Sequence, residues 1–167
     1  MALVKVVGID PESVSDGPGV RFTIYFSGCR HHCPGCHNPD AQDFSTGVEF
    51  DDHMQERVIS HIARCPIISG VTLSGGDPMF SAGDVLCFVR RLREKLPDIN
   101  IWLYTGYIYE EISGAEQKKL LALCDVLVDG RFEQDRLDLS HSFRGSTNQR
   151  IIDLKEAIGQ LEAAVDR

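Results

Sequence analysis

The hydrophobic positions of this chain form short apolar runs that alternate with longer segments of helical periodicity. The short runs predict strands at residues 3–9, 20–27, 71–73, 99–104, 126–128 and 150–153. Apolar spacings of three and four residues predict helices at residues 52–64, 81–96, 115–123 and 154–165. Because strands separated by helices pair in parallel through right-handed crossovers, this order predicts an α/β fold of mainly parallel strands.

The connecting segments and the length refine this expectation. Residues 11–19 and 37–50 show neither periodicity and are expected to be irregular. The strand–helix units are too few for a closed eight-stranded barrel, so we expect an open, partial (β/α) barrel. A chain of 167 residues has the size of one ordinary domain, so residues 1–167 are expected to form a single domain. Ligands of such folds bind beyond the carboxyl ends of the strands, where the functional residues should lie.

The charge balance argues against some classes of partner. The chain has 17 basic and 25 acidic residues and a net charge of -8, which argues against sequence-independent binding of nucleic acid. No apolar run approaches the roughly 20 residues of a membrane span, so no membrane partner is expected. The basic residues that do cluster lie on one predicted helix, where a solvated face is favoured over a docking patch: Arg90, Arg91, Arg93 and Lys95.

Three of the six cysteines form a compact motif directly after the second predicted strand. Cys29, Cys33 and Cys36 have the spacing C-x3-C-x2-C. Fully extended, this segment would hold its outer cysteines ~23 Å apart, so the loop must coil for all three to reach one site. Pro34 and Gly35 suit the inner positions of a type II turn, which brings Cys33 and Cys36 within about 7 Å. Cysteine usage without a signal peptide also predicts a reducing, cytoplasmic setting.

The number of cysteines in the motif bears on what it binds. A structural zinc ion takes four protein ligands, and most cubane clusters are held by four cysteines. Three cysteines would leave one iron of a 4Fe-4S cluster open to a small molecule that carries an amine and a carboxylate. Structural zinc, with His31, His32 or His37 nearby, is an alternative, as are unliganded thiols and a disulfide. The spacing favours the cluster among these possibilities.

The residues around the cysteines resemble a known superfamily. The segment DGPGVRF followed by C-x3-C-x2-C resembles the cluster loop of radical S-adenosylmethionine (SAM) enzymes, in the subgroup that installs glycyl radicals in partner enzymes. The run from Arg144 to Arg150, with DGRF at 129–132 and YTGY at 104–107, resembles the activating proteins of anaerobic ribonucleoside-triphosphate reductases. This run and the compact length favour that family over the longer pyruvate formate-lyase activating enzymes.

The resemblance implies a fold, cofactors and a reaction. It implies a partial barrel of the radical SAM type, in which Cys29, Cys33 and Cys36 hold a 4Fe-4S cluster and SAM chelates the open iron. A flavodoxin or ferredoxin would reduce the cluster, and SAM cleavage would give methionine and a 5′-deoxyadenosyl radical. That radical would take hydrogen from a glycine of the reductase and leave a glycyl radical there. No side chain is needed as a general acid or base, because the cofactor carries the chemistry.

Partners other than this reductase stay open on sequence alone. The alternatives are activation of another glycyl radical enzyme, a radical SAM reaction on a small molecule, and a non-catalytic zinc-binding interaction module. For the electron donor, we hypothesise that Arg30, His31 and His32 form a cationic rim on which an acidic protein docks.

Two segments at predicted strand ends are candidates for binding SAM. Ser74–Pro78 is by itself as compatible with a tight turn, but it resembles the glycine-glycine-acid motif that binds the SAM amino group. The resemblance assigns this role to Gly75, Gly76 and Asp77. The side chain of Asp77 is one methylene shorter than that of the glutamate usual at this position. One strand later, Arg131 is expected to face the SAM carboxylate, and Asp129 is expected to face a ligand hydroxyl or a cation. Charged side chains at the end of a buried strand need a partner that compensates their charge. Mutual pairing of the two at the surface is the alternative.

Four further residues are placed near the ligand by their position. Thr105 and Gly106 end a strand where the sugar or methionine part of SAM should pass. Many radical SAM loops carry an aromatic residue just before the third cysteine, against the adenine. Gly35 stands at this position, so the residue that stacks on adenine must lie elsewhere, and His37 is the candidate.

Other conspicuous residues are expected to serve packing. Trp102 and Tyr104 lie in a predicted strand and are interpreted as core residues. Cys65, Cys87 and Cys124 lie in or beside predicted helices and are expected to be small buried hydrophobic residues.

Overall fold

The computed structural model describes residues 3–165, which contain one seven-stranded sheet and four α-helices. The strands are β1 (Lys5–Ser13), β2 (Val20–Phe26), β3 (Val48–Glu49), β4 (Ile68–Gly75), β5 (Asn100–Tyr104), β6 (Val126–Asp129) and β7 (Arg150–Asp153). The helices are α1 (Asp52–Arg64), α2 (Ala82–Lys95), α3 (Ala115–Leu123) and α4 (Leu154–Val165). Short 3-10 helices occupy Pro39–Gln42, Pro78–Ser81, Tyr109–Glu111 and Gln134–Arg136. Of the helices in residues 3–165, none is both long and apolar enough to cross a bilayer.

The sheet is parallel in the middle and antiparallel at its sides. Its order is β3-β1-β2-β4-β5-β6-β7, and β2, β4, β5 and β6 pair in parallel. β1 pairs antiparallel with β2 and β3, and β7 pairs antiparallel with β6. The short connection between β1 and β2 is that of an antiparallel pair, since a parallel crossover needs a dozen or more residues. The expectation of mainly parallel strands is therefore correct only for the centre, and no barrel closure is seen within the described residues.

The two faces of the sheet differ in polarity because side chains alternate along each strand. One row of register partners, Ile24, Leu73, Leu103 and Leu127, crosses the four central strands and is fully buried. These residues belong to the hydrophobic core that the helices cover. The intervening positions carry polar groups on the opposite face, among them Arg21, Thr23, Tyr25, Thr72 and Ser74. The helix-free face is thus suited to hold a polar ligand.

The helices form where the sequence places apolar stripes and caps. The N-cap residue of α1, Asp51, accepts a hydrogen bond from the Met54 amide at 2.8 Å, which satisfies one of the free N–H groups of the first turn. Val58, Ile59 and Ile62 then share the buried face of α1. The predicted bounds of α1, α3, β7 and α4 are confirmed, whereas β1 and β4 are longer than predicted and a 3-10 turn precedes α2.

The sequence analysis expected the basic residues of α2 to lie on a solvated face, but not all of them do. Arg91 donates to Asp52 and Gln55 of α1 at 3.0 and 2.9 Å. Arg93 donates to backbone carbonyls of the segments around α3 and β5 and to the carboxylate of Asp125 at 2.8 Å. Arg90 is exposed as predicted. The cluster therefore includes two residues that tie α2 to its neighbours.

Candidate functional site

The carboxyl ends of β2, β4, β5 and β6 surround one recess of about 230 Å³. It is lined by eight of the residues singled out in the sequence: Cys29, Cys33, Cys36, His37, Gly75, Gly76, Thr105 and Gly106. A larger recess of about 900 Å³ lies beside α1, and none of the three motif cysteines lines it. The location agrees with the general rule that ligands bind at the carboxyl edge of parallel strands.

The cysteine loop contains the turn that its sequence predicts. The Cys36 amide donates to the Cys33 carbonyl at 3.1 Å, and Gly35 has a φ of 73°. A positive φ at this position is the requirement of a type II turn that glycine meets without strain. The start of the loop is fixed by the Gly28 and Cys29 amides, which donate to carbonyls of the 3-10 helix at Pro39–Gln42.

The loop brings three thiols to one recess, which suits a 4Fe-4S cluster with one open iron, whereas a structural zinc ion takes four protein ligands. Within residues 3–165, three ligand atoms that all lie within 4.8 Å of one another are found at Cys29, His31 and Asp77. Burial raises the pKa of the Cys29 thiol to about 11. A bound metal is therefore what would hold this sulfur as a thiolate at neutral pH.

His31 does not belong to the exposed rim that the sequence analysis proposed. Its side chain is only 5% exposed, and its Nε2 lies 2.9 Å from the carboxylate of Asp77. Its ring packs against Phe80 and Tyr107, with centroid distances of 5.1 and 4.8 Å, and these two rings also contact each other at 5.4 Å. Arg30 and His32 are exposed. The hypothesis is therefore wrong for His31, and the remaining cationic rim consists of Arg30 and His32.

Gly75 and Gly76 are glycines for reasons within the protein itself. Gly75 has a φ of 108°, and a Cβ there would lie 2.3 Å from the backbone nitrogen of Phe26 on β2. A Cβ on Gly76 would lie 2.4 Å from the carbonyl oxygen of Ala41. The two glycines thus let β4 end against β2 and the cysteine loop. Their contact with SAM stays a prediction.

The charges at the end of β6 pair differently from both sequence expectations. Asp129 is buried, and its carboxylate accepts from the Arg150 guanidinium and from the Tyr109 amide. Arg150 also pairs with Glu110, and this pairing lowers the pKa of the Glu110 carboxyl. Arg131 is exposed and lines a neighbouring recess that does not contain the cysteines. Mutual pairing of Asp129 with Arg131 is therefore wrong, and the Asp129 carboxylate is already bonded within the protein.

The recess also contains residues to which the sequence analysis assigned no role at the ligand. Tyr25 of β2 is one of them, and others lie in segments that served only as marks of resemblance, among them Asp16, Phe132, Gly145 and Gln149. The alternation of polar side chains in β2 was the available signal for Tyr25, whose hydroxyl donates to Asp16 at 2.7 Å. The β6–β7 connection carries no periodicity that would reveal its position.

The β6–β7 connection occupies the space beside Gly35. The side chain of Gln134 lies 3.0 Å from the position of a Cβ on Gly35, and the rings of His37 and Phe132 are 4.8 Å apart. An aromatic residue at position 35 would therefore displace Gln134. Phe132 is a second aromatic ring next to His37, the candidate for stacking on adenine.

The remaining packing predictions have mixed outcomes. Trp102 is buried beside Phe143, and Cys124 is buried, as expected. Cys65 is only partly buried, and Cys87 is exposed, so the prediction is wrong for Cys87. Tyr104 is largely covered but also lines the recess, and its hydroxyl donates to the Phe143 carbonyl at 2.7 Å.

Comparison with known proteins agrees with this site. The family model described as a 4Fe-4S single cluster domain matches residues 15–152. A parallel α/β sheet with three cysteines in one recess at its carboxyl edge, together with this match, defines an iron–sulfur protein with a single cluster domain.

Relatives identify the family within this class. The chain is 42% identical to an anaerobic ribonucleoside-triphosphate reductase-activating protein of Haemophilus influenzae over 144 residues, which cover 84% of this chain and 92% of that protein. It is 39% identical to the protein of this name from Escherichia coli over 148 residues, covering 87% and 96% of the two chains. The corresponding protein of Enterobacteria phage T4 is 34% identical over 145 residues, covering 86% and 90%. The chain belongs to the family of anaerobic ribonucleoside-triphosphate reductase-activating proteins.

Proposed function

We propose that this protein activates an anaerobic ribonucleoside-triphosphate reductase by forming a glycyl radical in it. The observation that carries the proposal is the recess in which Cys29, Cys33 and Cys36 meet the ends of β4 and β5. The names of the relatives support the choice of reductase. A flavodoxin or ferredoxin as electron donor, and a cytoplasmic setting, belong to the same proposal.

The residues of the recess would hold a 4Fe-4S cluster and SAM. Cys29, Cys33 and Cys36 are the cluster ligands, and the open iron is left for SAM. When bound, this pair supplies one-electron cleavage of SAM to methionine and a 5′-deoxyadenosyl radical, which takes hydrogen from a glycine of the reductase. The protein binds and orients the cofactors and excludes water. The helix-free polar face of the sheet supports the inference that residues 1–167 form one open, partial barrel of the radical SAM type.

The residues around SAM are assigned by their position in the recess. Gly75 and Gly76 end β4 and line the recess beside the cysteines, which supports their contact with the methionine part of SAM. Thr105 and Gly106 line it from β5. His37 is proposed to stack on adenine, with Phe132 behind it at 4.8 Å. A role for Arg131 at the SAM carboxylate would require its side chain to turn into the recess.

Anaerobic purification with electron paramagnetic resonance (EPR) tests this function. The reduced protein should contain four irons per chain, and SAM should change its EPR spectrum. With the glycyl radical subunit of the reductase, a SAM-dependent glycyl radical signal should appear. Cys33→Ser should abolish the cluster and the signal, whereas Cys87→Ser, which changes an exposed cysteine of α2, should change neither.

The same experiment separates the alternatives. A colourless protein that binds zinc would contradict the proposal and indicate an interaction module. A glycyl radical formed in pyruvate formate-lyase, with none in the reductase, would retain the chemistry and change the partner. A cluster that cleaves SAM, with no glycyl radical formed in either the reductase or pyruvate formate-lyase, would favour the alternative of a reaction on a small molecule.

A further inference from the structure

The carboxylate of Asp77 is bonded to groups of the protein through both of its oxygens. Oδ1 accepts from the Met79 amide at 2.9 Å. Oδ2 lies 2.9 Å from His31 Nε2 and accepts from Thr105 Oγ1 at 2.8 Å and from the Gly106 amide at 2.9 Å. The residue is only 1% exposed.

Four groups of the protein bond to this carboxylate. Three of them contact Oδ2 and one contacts Oδ1, and they belong to three separate segments of the chain. Because Asp77 is only 1% exposed and does not line the recess, an ammonium group of a substrate could reach its carboxylate only by displacing one of these groups. The displaced group would then be buried without its partner, which is unfavourable.

The contacts of Asp77 lie on both sides of Cys29. The Asp77 amide donates to the Gly28 carbonyl at 2.9 Å, and its carboxylate bonds to His31. Gly28, immediately before Cys29, and His31, two residues after it, are therefore both attached to the segment that follows β4. Asp77 also connects this part of the loop to the end of β5 through Thr105.

The surroundings of His31 are built to keep this contact. Phe80 and Tyr107 pack against its ring and against each other. A Cβ on Gly106 would lie 2.4 Å from Cδ2 of His31, so only glycine at position 106 leaves room for the ring. Glycine at position 106 therefore leaves the space that the His31 ring occupies.

We propose that Asp77 is a positioning residue that holds Cys29 in place through Gly28 and His31, and that its carboxylate does not bind the SAM ammonium group. The inference rests on the proposed function, since it takes Cys29 as a cluster ligand. It replaces the ammonium contact that sequence resemblance alone assigns to Asp77. When a hydrogen-bond partner that orients a metal ligand is removed, the affinity of the site for its metal typically falls about 10- to 100-fold.

The test measures the cluster before SAM is added. His31→Phe keeps an aromatic ring packed against Phe80 and Tyr107 and removes the bond to Asp77, and Asp77→Asn changes the carboxylate itself. Both variants, reconstituted with ferrous iron and sulfide, should lose iron to a chelator about 10- to 100-fold faster than the wild type. Both should also shift the midpoint potential of the cluster in the absence of SAM. Because the two residues act through one contact, the double variant should be no worse than the more affected single variant.

Two further variants keep the result interpretable. Thr105→Val removes one hydrogen-bond donor to Asp77 and preserves the shape of the side chain. If Asp77→Asn does not fold, Thr105→Val and His31→Phe are compared with the wild type instead. Asp125→Asn changes a largely buried carboxylate at the amino end of β6, paired with Arg93, and should lower stability without altering the potential.

The opposite results would overturn the inference. If Asp77 binds the SAM ammonium, Asp77→Asn alone should weaken SAM binding while its SAM-free cluster is normal, and His31→Phe should leave both unchanged. A wild-type protein without any cluster would overturn the inference together with the proposed function. A wild type that holds a cluster but forms no glycyl radical would remove only the proposed function, because the chelator and potential measurements use no reductase.

Discussion

Two buried carboxylates at the carboxyl edge of the sheet have different partners. Asp129, the last residue of β6, is balanced by the charged Arg150. Asp77, two residues after β4, is bonded instead by two amides, a hydroxyl and a histidine ring. The first arrangement links the end of β6 to β7, and the second attaches the cysteine loop. Both residues are aspartates close to the end of a parallel strand, so the difference comes from the residues that other segments bring.

Two tyrosines of the recess provide a prediction at the residue scale. Burial is the main cause that raises the pKa values of Tyr25 and Tyr104 above the ordinary value of about 10. In the folded protein, absorbance at 295 nm should show these two tyrosines still protonated at a pH at which the tyrosines of the urea-unfolded chain have ionised. Tyr25→Phe should remove one late-ionising group.

The sign of the linked stability change follows from proton release. Above about pH 10 the unfolded chain loses phenolic protons that the folded chain retains, so these tyrosines make the free energy of unfolding fall as pH rises. Below that pH both states are protonated, and the two groups contribute no pH dependence. Simultaneous ionisation of all four tyrosines in the folded protein would contradict the burial argument.

At the scale of elements, α2 is attached to the sheet by Arg93 as well as by its apolar face. Arg93 bonds to the Leu123 carbonyl at the end of α3, to the Ile99 carbonyl before β5, and to Asp125 before β6. One side chain thus satisfies acceptors from two connections, the one between α2 and β5 and the one between α3 and β6. The cluster of basic residues on α2 suggested a solvated face because sequence does not show which arginine points inward.

Replacing this arginine should separate its role from that of its exposed neighbour. Arg93→Ala leaves several acceptors unpaired and should lower the free energy of unfolding by about 2–4 kcal/mol. Arg90→Ala, on the exposed face of the same helix, should change it by no more than about 0.5 kcal/mol. Anaerobic urea denaturation followed by circular dichroism measures both, and equal midpoints for the two variants would refute the assignment.

At the scale of the whole molecule, the negative charge makes local cationic patches important. The net charge of -8 disfavours approach of an acidic electron donor except where basic residues outweigh it. Arg30 and His32 are exposed in the cysteine loop, and Arg30 lies over the ring of Phe44 at 5.4 Å. They are the part of the predicted rim that the structure leaves accessible beside the three cysteines.

This placement predicts a salt-dependent reduction rate. The double variant Arg30→Ala/His32→Ala should be reduced by flavodoxin about 10-fold more slowly than wild type at low ionic strength. The difference should shrink at high salt, where charges are screened, while reduction by dithionite stays equal. Stopped-flow spectroscopy measures these rates, with Arg90→Ala as a control remote from the loop. Equal flavodoxin rates at low salt would mean that the donor docks elsewhere.

The sequence was sufficient for features that depend on neighbouring residues. The turn from Cys33 to Cys36 follows from proline and glycine at its inner positions, and α1 and α3 follow from their apolar spacing. It was also sufficient for the carboxyl edge of the sheet as the location of the site, because connectivity fixes the direction of parallel strands.

Tertiary structure alone decided which distant groups meet. Asp77 bonds to His31, 46 positions away, and Asp129 bonds to Arg150 and not to the nearby Arg131. These pairings depend on strand register and on the path of the β6–β7 connection, which no local periodicity encodes. Local chemistry therefore determined what the chain can bind, whereas long-range packing determined which side chains face the ligand and which hold the site together.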